Sequence, residues 1–150
     1  MMHSGEIEAA SGDLINQKVF AEVREALGEH FVRLLGYFRE DGIKSVAAIE
    51  QAIDEKDSAK LVIPAHTLKG EACQFGADKL ALVAEEIEVA ARHYLEIRQD
   101  PSDLMEKVSQ LRPLFELSIA ALEAEISPVV QRSSGGSFQR GSFGTKITLN

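Results

Sequence analysis

Residues 61–94 read LVIPAHTLKGEACQFGADKLALVAEEIEVAARHY. Leu61, Ala65, Leu68, Ala72 and Phe75 recur at spacings of three and four, the period of a helix with one apolar face. Gly76 follows where helices commonly end, at the position that favours a left-handed residue. From about Asp78 to Tyr94 the period resumes with Leu80, Val83, Ala84, Ile87, Ala90, Ala91 and Tyr94. Two amphipathic helices joined by a short turn form an antiparallel pair, and their apolar faces require further helices to cover them.

The flanking sequence supplies those helices. Asp13 is placed to cap a helix to about Leu27, with Val19, Phe20, Val23 and Leu27 on one stripe. After Gly28, the residues Phe31, Leu34, Leu35 and Phe38 mark a second helix to Asp41. Gly42 is read as a break before a third, carried by Ile43, Val46, Ile49 and Ile53 and ending near Asp54. Asp57 or Ser58 caps the helix of Leu61, in which Pro64 sets either the start or a kink. Asp100-Pro101 opens a last helix through Leu104, Val108, Leu111, Phe115, Ile119, Leu122 and Ile126, bent at Pro113. No stretch of 1–126 alternates with the period of two that a strand requires. The expectation is an all-α bundle over residues 13–126, a flexible N-terminus over 1–12 and a flexible, Ser/Gly-rich disordered tail over 127–150.

Composition narrows the function classes. The 150 residues suffice for one domain with a core, and 45% hydrophobic with 27% charged residues is ordinary globular chemistry. No apolar run approaches the roughly 18–20 residues of a membrane span, and no secretory signal opens the chain. The single cysteine, Cys73, fits a reducing, cytoplasmic setting. The net charge is −8, and every acidic residue lies within 1–126. Residues 127–150 carry Arg132, Arg140 and Lys146 and no acid. So acidic a body repels phosphate backbones, which argues against nucleic-acid binding.

One surface is unusual. On a helical wheel at about 100° per residue, His66 points about 140° away from the core stripe of its helix. Val62, Ile63, Gly70 and Cys73 lie on the same outer face, flanked by Lys69. A solvated face is normally charged, whereas this one is apolar and small around one imidazole and one ammonium. A mid-helix glycine costs about 1 kcal/mol relative to alanine, and close approach of another molecule to the backbone would justify it. These residue types suit phosphoryl transfer. Imidazole, with a pKa near 6.5, is substantially neutral and nucleophilic at pH 7. Lys69 can offset the charge of a phosphoryl group, and the apolar rim can dock a partner and exclude water.

The segment 65–88 resembles the histidine phosphotransfer (HPt) domain family. The likeness lies in His66 followed by Leu68, Lys69 and Gly70, then Gly76, Leu80 and the pair Ile87-Glu88. Phe38 before Glu40-Asp41 resembles the family's upstream aromatic-then-acidic element, and the similarity extends over about 13–126. The resemblance implies an antiparallel four-helix bundle with one or two additional N-terminal helices. It implies that His66 is phosphorylated, accepting a phosphoryl group from an aspartyl phosphate on one receiver domain and passing it to another. His66 Nε2 is then the nucleophile, Lys69 the electrostatic support and Gly70 the clearance, with Val62, Ile63 and Cys73 meeting the partner. The implied partners are response-regulator receiver domains or a hybrid histidine kinase. The chain needs no cofactor of its own, Mg²⁺ belongs to the receiver, and a monomeric carrier rather than an enzyme is expected. Glu71 departs from the small residue usual after the glycine and is expected at the flank, about 140° from His66.

Other candidates have simpler readings. His3, His30 and His93 form no ligand pattern with Cys73 or a carboxylate pair, so no metal site is expected. Glu85, Glu86 and Glu88 read as a solvated acidic face, and Phe38, Tyr94 and Phe115 as core. The competing function is a helical adaptor or dimerisation module whose histidine is never phosphorylated. Such a module has no need of His66, Lys69 and Gly70 on an outward face.

Overall fold

A computed structural model of the chain describes residues 14–137, with side chains through residue 126. The expected flexible segment 1–12, the Asp13 cap and the tail from 138 onward lie outside the described residues. Every regular element among the described residues is a helix. Helix α1 spans Gln17–Leu27, α2 Phe31–Asp54, α3 Ala59–Gln74, α4 Asp78–Glu96 and α5 Met105–Ser137, with 3₁₀ turns at Gly28–His30 and Ser102–Leu104. The described residues fall into two compact units, one through Ile119 and one from Ala120 onward. The first holds α1 to α4 and the start of α5, packed as a helical bundle; the second begins within α5, which is helical through Ser137 rather than ending at Ile126.

Gly42 is not a break. Helix α2 runs through it without interruption, burying Phe31, Leu35, Phe38, Gly42, Val46 and Ile49 in one register. Ile43, expected inward, is therefore 43% exposed. The glycine is there for packing: a Cβ at Gly42 would lie 2.2 Å from the Phe115 ring. That ring meets Phe38 edge-on at 6.1 Å, and Phe38 stacks flat on Phe75 at 5.2 Å. An aromatic column thus ties α2 to α5 and to the end of α3, and Phe31 and Phe20 extend it edge-to-face toward α1.

Three helices end alike. After α2, α3 and α4 the chain places Lys56, Gly76 and Arg98 at positive φ. In each case the next amide bonds back across the last turn: Asp57 to the Ala52 carbonyl, Ala77 to Ala72, Gln99 to Tyr94. Helix α1 starts at Asn16, whose side chain accepts a hydrogen bond from the Val19 amide at 3.1 Å. The Asn16 amide donates to the Gly76 carbonyl at 2.7 Å, and its side chain donates to Asp78 at 3.0 Å. The α3–α4 turn is thereby fastened to the N-terminal helix.

In α3 the Asp57 carboxylate, not the Ser58 hydroxyl, caps the first turn by accepting from the Lys60 amide. Ser58 instead donates to the Gln99 carbonyl. Regular helix begins at Ala59, so Pro64 lies inside it and cannot donate to the carbonyl four residues earlier. The stripe Leu61, Ala65, Leu68 and Ala72 is fully buried, which fixes the rotation of α3 and directs the opposite face outward.

Candidate functional site

Rotation of α3 sets the site. His66 lies on its outer face with a 62% exposed side chain. Ile63, 75% exposed, and the exposed Gly70 and Cys73 share that face, with Val62 half-buried at its edge. A Cβ on Gly70 would meet nothing within 4 Å. Close helix packing therefore does not account for this glycine, in contrast to Gly42.

The turn at Gly76 folds α4 back along α3 and sets Glu88 opposite His66. Glu88 belongs to no solvated face, contrary to the sequence reading. Its side chain is 7% exposed and lies at the centre of a charge cluster. Its Oε2 lies 3.0 Å from His66 Nδ1 and accepts hydrogen bonds from Arg92 Nε at 3.2 Å and an Arg92 terminal nitrogen at 2.9 Å. Lys69 Nζ stands 3.1 Å from Oε1, an ion pair without hydrogen-bond alignment, which leaves Oε1 buried with no aligned donor. Burial alone would raise the Glu88 pKa, but Arg92, Lys69 and His66 together bring it below the ordinary carboxylate value. An ionised carboxylate only accepts, so Nδ1 carries the shared hydrogen in the neutral ring and the Nε2 lone pair faces solvent.

Glu71 lies at the flank, turned toward α2. Burial, then a shared hydrogen bond with Asp41 and the charge of Asp41, push its pKa up to about 7. An open groove of about 670 Å³ runs between α2 and α3, lined by Lys44, Ala48, Ala52, Ala59, Ile63 and Thr67 among others.

The remaining candidates stand apart from this cluster. His30 is within 2.9 Å of an Arg33 terminal nitrogen, and His93 lies against Tyr94. Among the described residues no group of three or more His, Cys, Asp or Glu is arranged to hold a metal ion. Nor is any described helix long and apolar enough to cross a membrane.

Glu88 and Arg92 are the residues that sequence reasoning passed over. The signal was present, because Glu88 is adjacent to the core residue Ile87 and belongs to the Ile87-Glu88 pair of the family motif. Three acids in four residues masked it as an ordinary polar face.

No curated protein shows significant similarity to the chain. Among solved structures, the fold is similar to the crystal structure of histidine-containing phosphotransfer protein B (HptB) from Pseudomonas aeruginosa PAO1. The TM-score is 0.65 at 23% identity, over 75% of this chain and 93% of that one. The family model described as Hpt domain matches residues 33–126, a span that contains α3, α4 and the whole His66 cluster. The chain belongs to the Hpt domain family, the histidine phosphotransfer domains of two-component signalling.

Proposed function

We propose that this protein carries a phosphoryl group on His66 Nε2 between aspartyl-phosphorylated receiver domains. The observation that carries the reading is an exposed imidazole whose Nδ1 is held 3.0 Å from a buried carboxylate. The Nε2 lone pair attacks the phosphorus of the aspartyl phosphate. The P–O bond to the aspartate breaks, and that carboxylate leaves with its electron pair. The Nδ1 proton stays on the ring, which becomes cationic as the Nε2–P bond forms. Glu88 stabilises that charge; hydrogen bonds to charged groups contribute about 1.5–3 kcal/mol. Return transfer runs through the same steps reversed.

The chain supplies no other acid, base or cofactor in this account. Mg²⁺ and the aspartate come from the receiver, and catalysis consists mainly of positioning and charge stabilisation. The protein then acts as a carrier rather than an enzyme, as a monomer in the cytoplasm, without nucleic acid or membrane as partners. Ile63, Val62 and Cys73 form the docking rim, and Gly70 gives the receiver access to the main chain beside His66. A plain adaptor offers no role for a buried carboxylate held by two cations beneath an exposed histidine.

The experiment is incubation with a phosphorylated receiver domain and Mg²⁺, comparing wild type with His66→Gln. Wild type is labelled and the variant is not. Equal labelling of both would refute the assignment and favour the adaptor.

A further inference from the structure

The Glu88 cluster holds more positive charge than one carboxylate requires. Lys69 and Arg92 both pair with it, and they do so differently. Arg92, one turn along α4 from Glu88, directs two N–H groups at Oε2, the oxygen that also faces His66 Nδ1. Lys69 alone faces Oε1, at 3.1 Å and without hydrogen-bond alignment. Lys69 is also on the helix of His66, three residues on, and its side chain is 28% exposed. It is the cation that shares a helix with the imidazole, one turn away, and before transfer it faces the buried carboxylate.

We propose that Arg92 is a positioning residue for phosphoryl transfer: by neutralising Glu88 through Oε2, it releases Lys69 from Oε1 to the phosphoryl group arriving on His66 Nε2. The inference rests on His66 being the phosphoryl acceptor. The incoming group adds negative charge beside Lys69, and the ammonium follows it. A carboxylate that is 7% exposed cannot be left without a counter-charge, because its desolvation would then be uncompensated. Arg92 remains on Glu88 and meets that need. The planar guanidinium suits the fixed role, and the flexible ammonium suits the moving one.

The test uses phosphoramidate as phosphoryl donor, so that no partner surface enters. The His66 Nε2 lone pair forms the new bond to phosphorus, the P–N bond of the donor breaks, and ammonia leaves after taking a proton from water. Labelling of wild type, Arg92→Gln, Lys69→Ala and the double variant is followed by phosphorus NMR, with thermal melts to establish folding. Arg92→Gln is expected to slow labelling about fivefold and Lys69→Ala about tenfold. The double variant should be no slower than Lys69→Ala alone, because Arg92 acts through Lys69. Arg92→Lys, which keeps the charge but loses the two-donor fork on Oε2, should fall between Arg92→Gln and wild type. Labelling of Arg92→Gln at the wild-type rate, or multiplied effects in the double variant, would overturn the proposal. So would an Arg92→Lys rate as low as that of Arg92→Gln. Full labelling of His66→Gln would show instead that the acceptor is another residue, a failure of the underlying function that the Arg92 comparison does not mimic.

Discussion

Replacing Gly70 by alanine should make the protein more stable and a poorer phosphoryl carrier. The residue lies inside α3, where glycine is about 0.8–1.0 kcal/mol less favourable than alanine. A Cβ there meets nothing within 4 Å, so no steric penalty offsets the gain. The expected stabilisation is about 1 kcal/mol, or roughly 3–5 °C in thermal midpoint for a domain of this size. Gly36 in α2 is likewise exposed with nothing near its missing Cβ, so Gly36→Ala should give a similar gain with transfer unchanged. Gly42→Ala should do the opposite, because its methyl would overlap the buried Phe115 ring. Overpacking of about 1–3 kcal/mol or more outweighs the helix gain there. Circular-dichroism melts and urea titrations of the three variants measure the stabilities, and transfer from a phosphorylated receiver measures function. If Gly70→Ala destabilises while Gly36→Ala stabilises, the glycine serves the fold and the argument from open space fails. If even Gly70→Leu transfers at the wild-type rate, the clearance explanation is lost.

Three further outcomes follow from particular contacts. Glu71 has a folded pKa of about 7 against an ordinary 4.5, so the folded state binds the extra proton between those values, and stability should fall as pH rises through that window. Discounted for the side chain's partial exposure, the loss is on the order of 1 kcal/mol; Glu71→Gln should flatten the profile from pH 4.5 to 7 in urea titrations, and an unchanged slope would refute it. Gly76→Ala should cost about 2 kcal/mol in thermal denaturation, since φ is +79° and the methyl would lie 3.0 Å from the Asn16 carbonyl oxygen. Ile63→Asp, on a side chain 75% exposed, should leave stability within about 0.5 kcal/mol and weaken receiver binding about tenfold by calorimetric titration; unchanged affinity would remove Ile63 from the docking rim.

The α3–α4 pair was readable because burial there follows strict helical period and one glycine stands at the turn. Leu61, Ala65, Leu68, Ala72 and Phe75 are all buried as that period requires. The error at Gly42 has a physical cause: a glycine in sequence looks the same whether it breaks a helix or admits a ring from another. Only Phe115, far along the chain, distinguishes the two. The helix ends near Asp54 and Tyr94 could be read from the apolar period, but the left-handed turns at Lys56 and Arg98 could not, since bulky residues occupy positions where glycine would have signalled them. His66, Lys69 and Gly70 could be placed on one helix by wheel geometry alone. Glu88 and Arg92 could not, because their part depends on how α4 is rotated and on which carboxylate it buries.

The attachment of Asn16 to Gly76 and Asp78 has a consequence for where control of this domain resides. The hairpin of α3 and α4 carries both halves of the histidine cluster, and its bend is clasped by a segment upstream of the region shared with the family, 33–126. Trimming the chain to that shared region would spare every charged group around His66 and still loosen the hinge that keeps the imidazole and its carboxylate in register. The chemistry of the motif is therefore open to tuning from outside it, by how firmly the leading helix of this chain grips that bend.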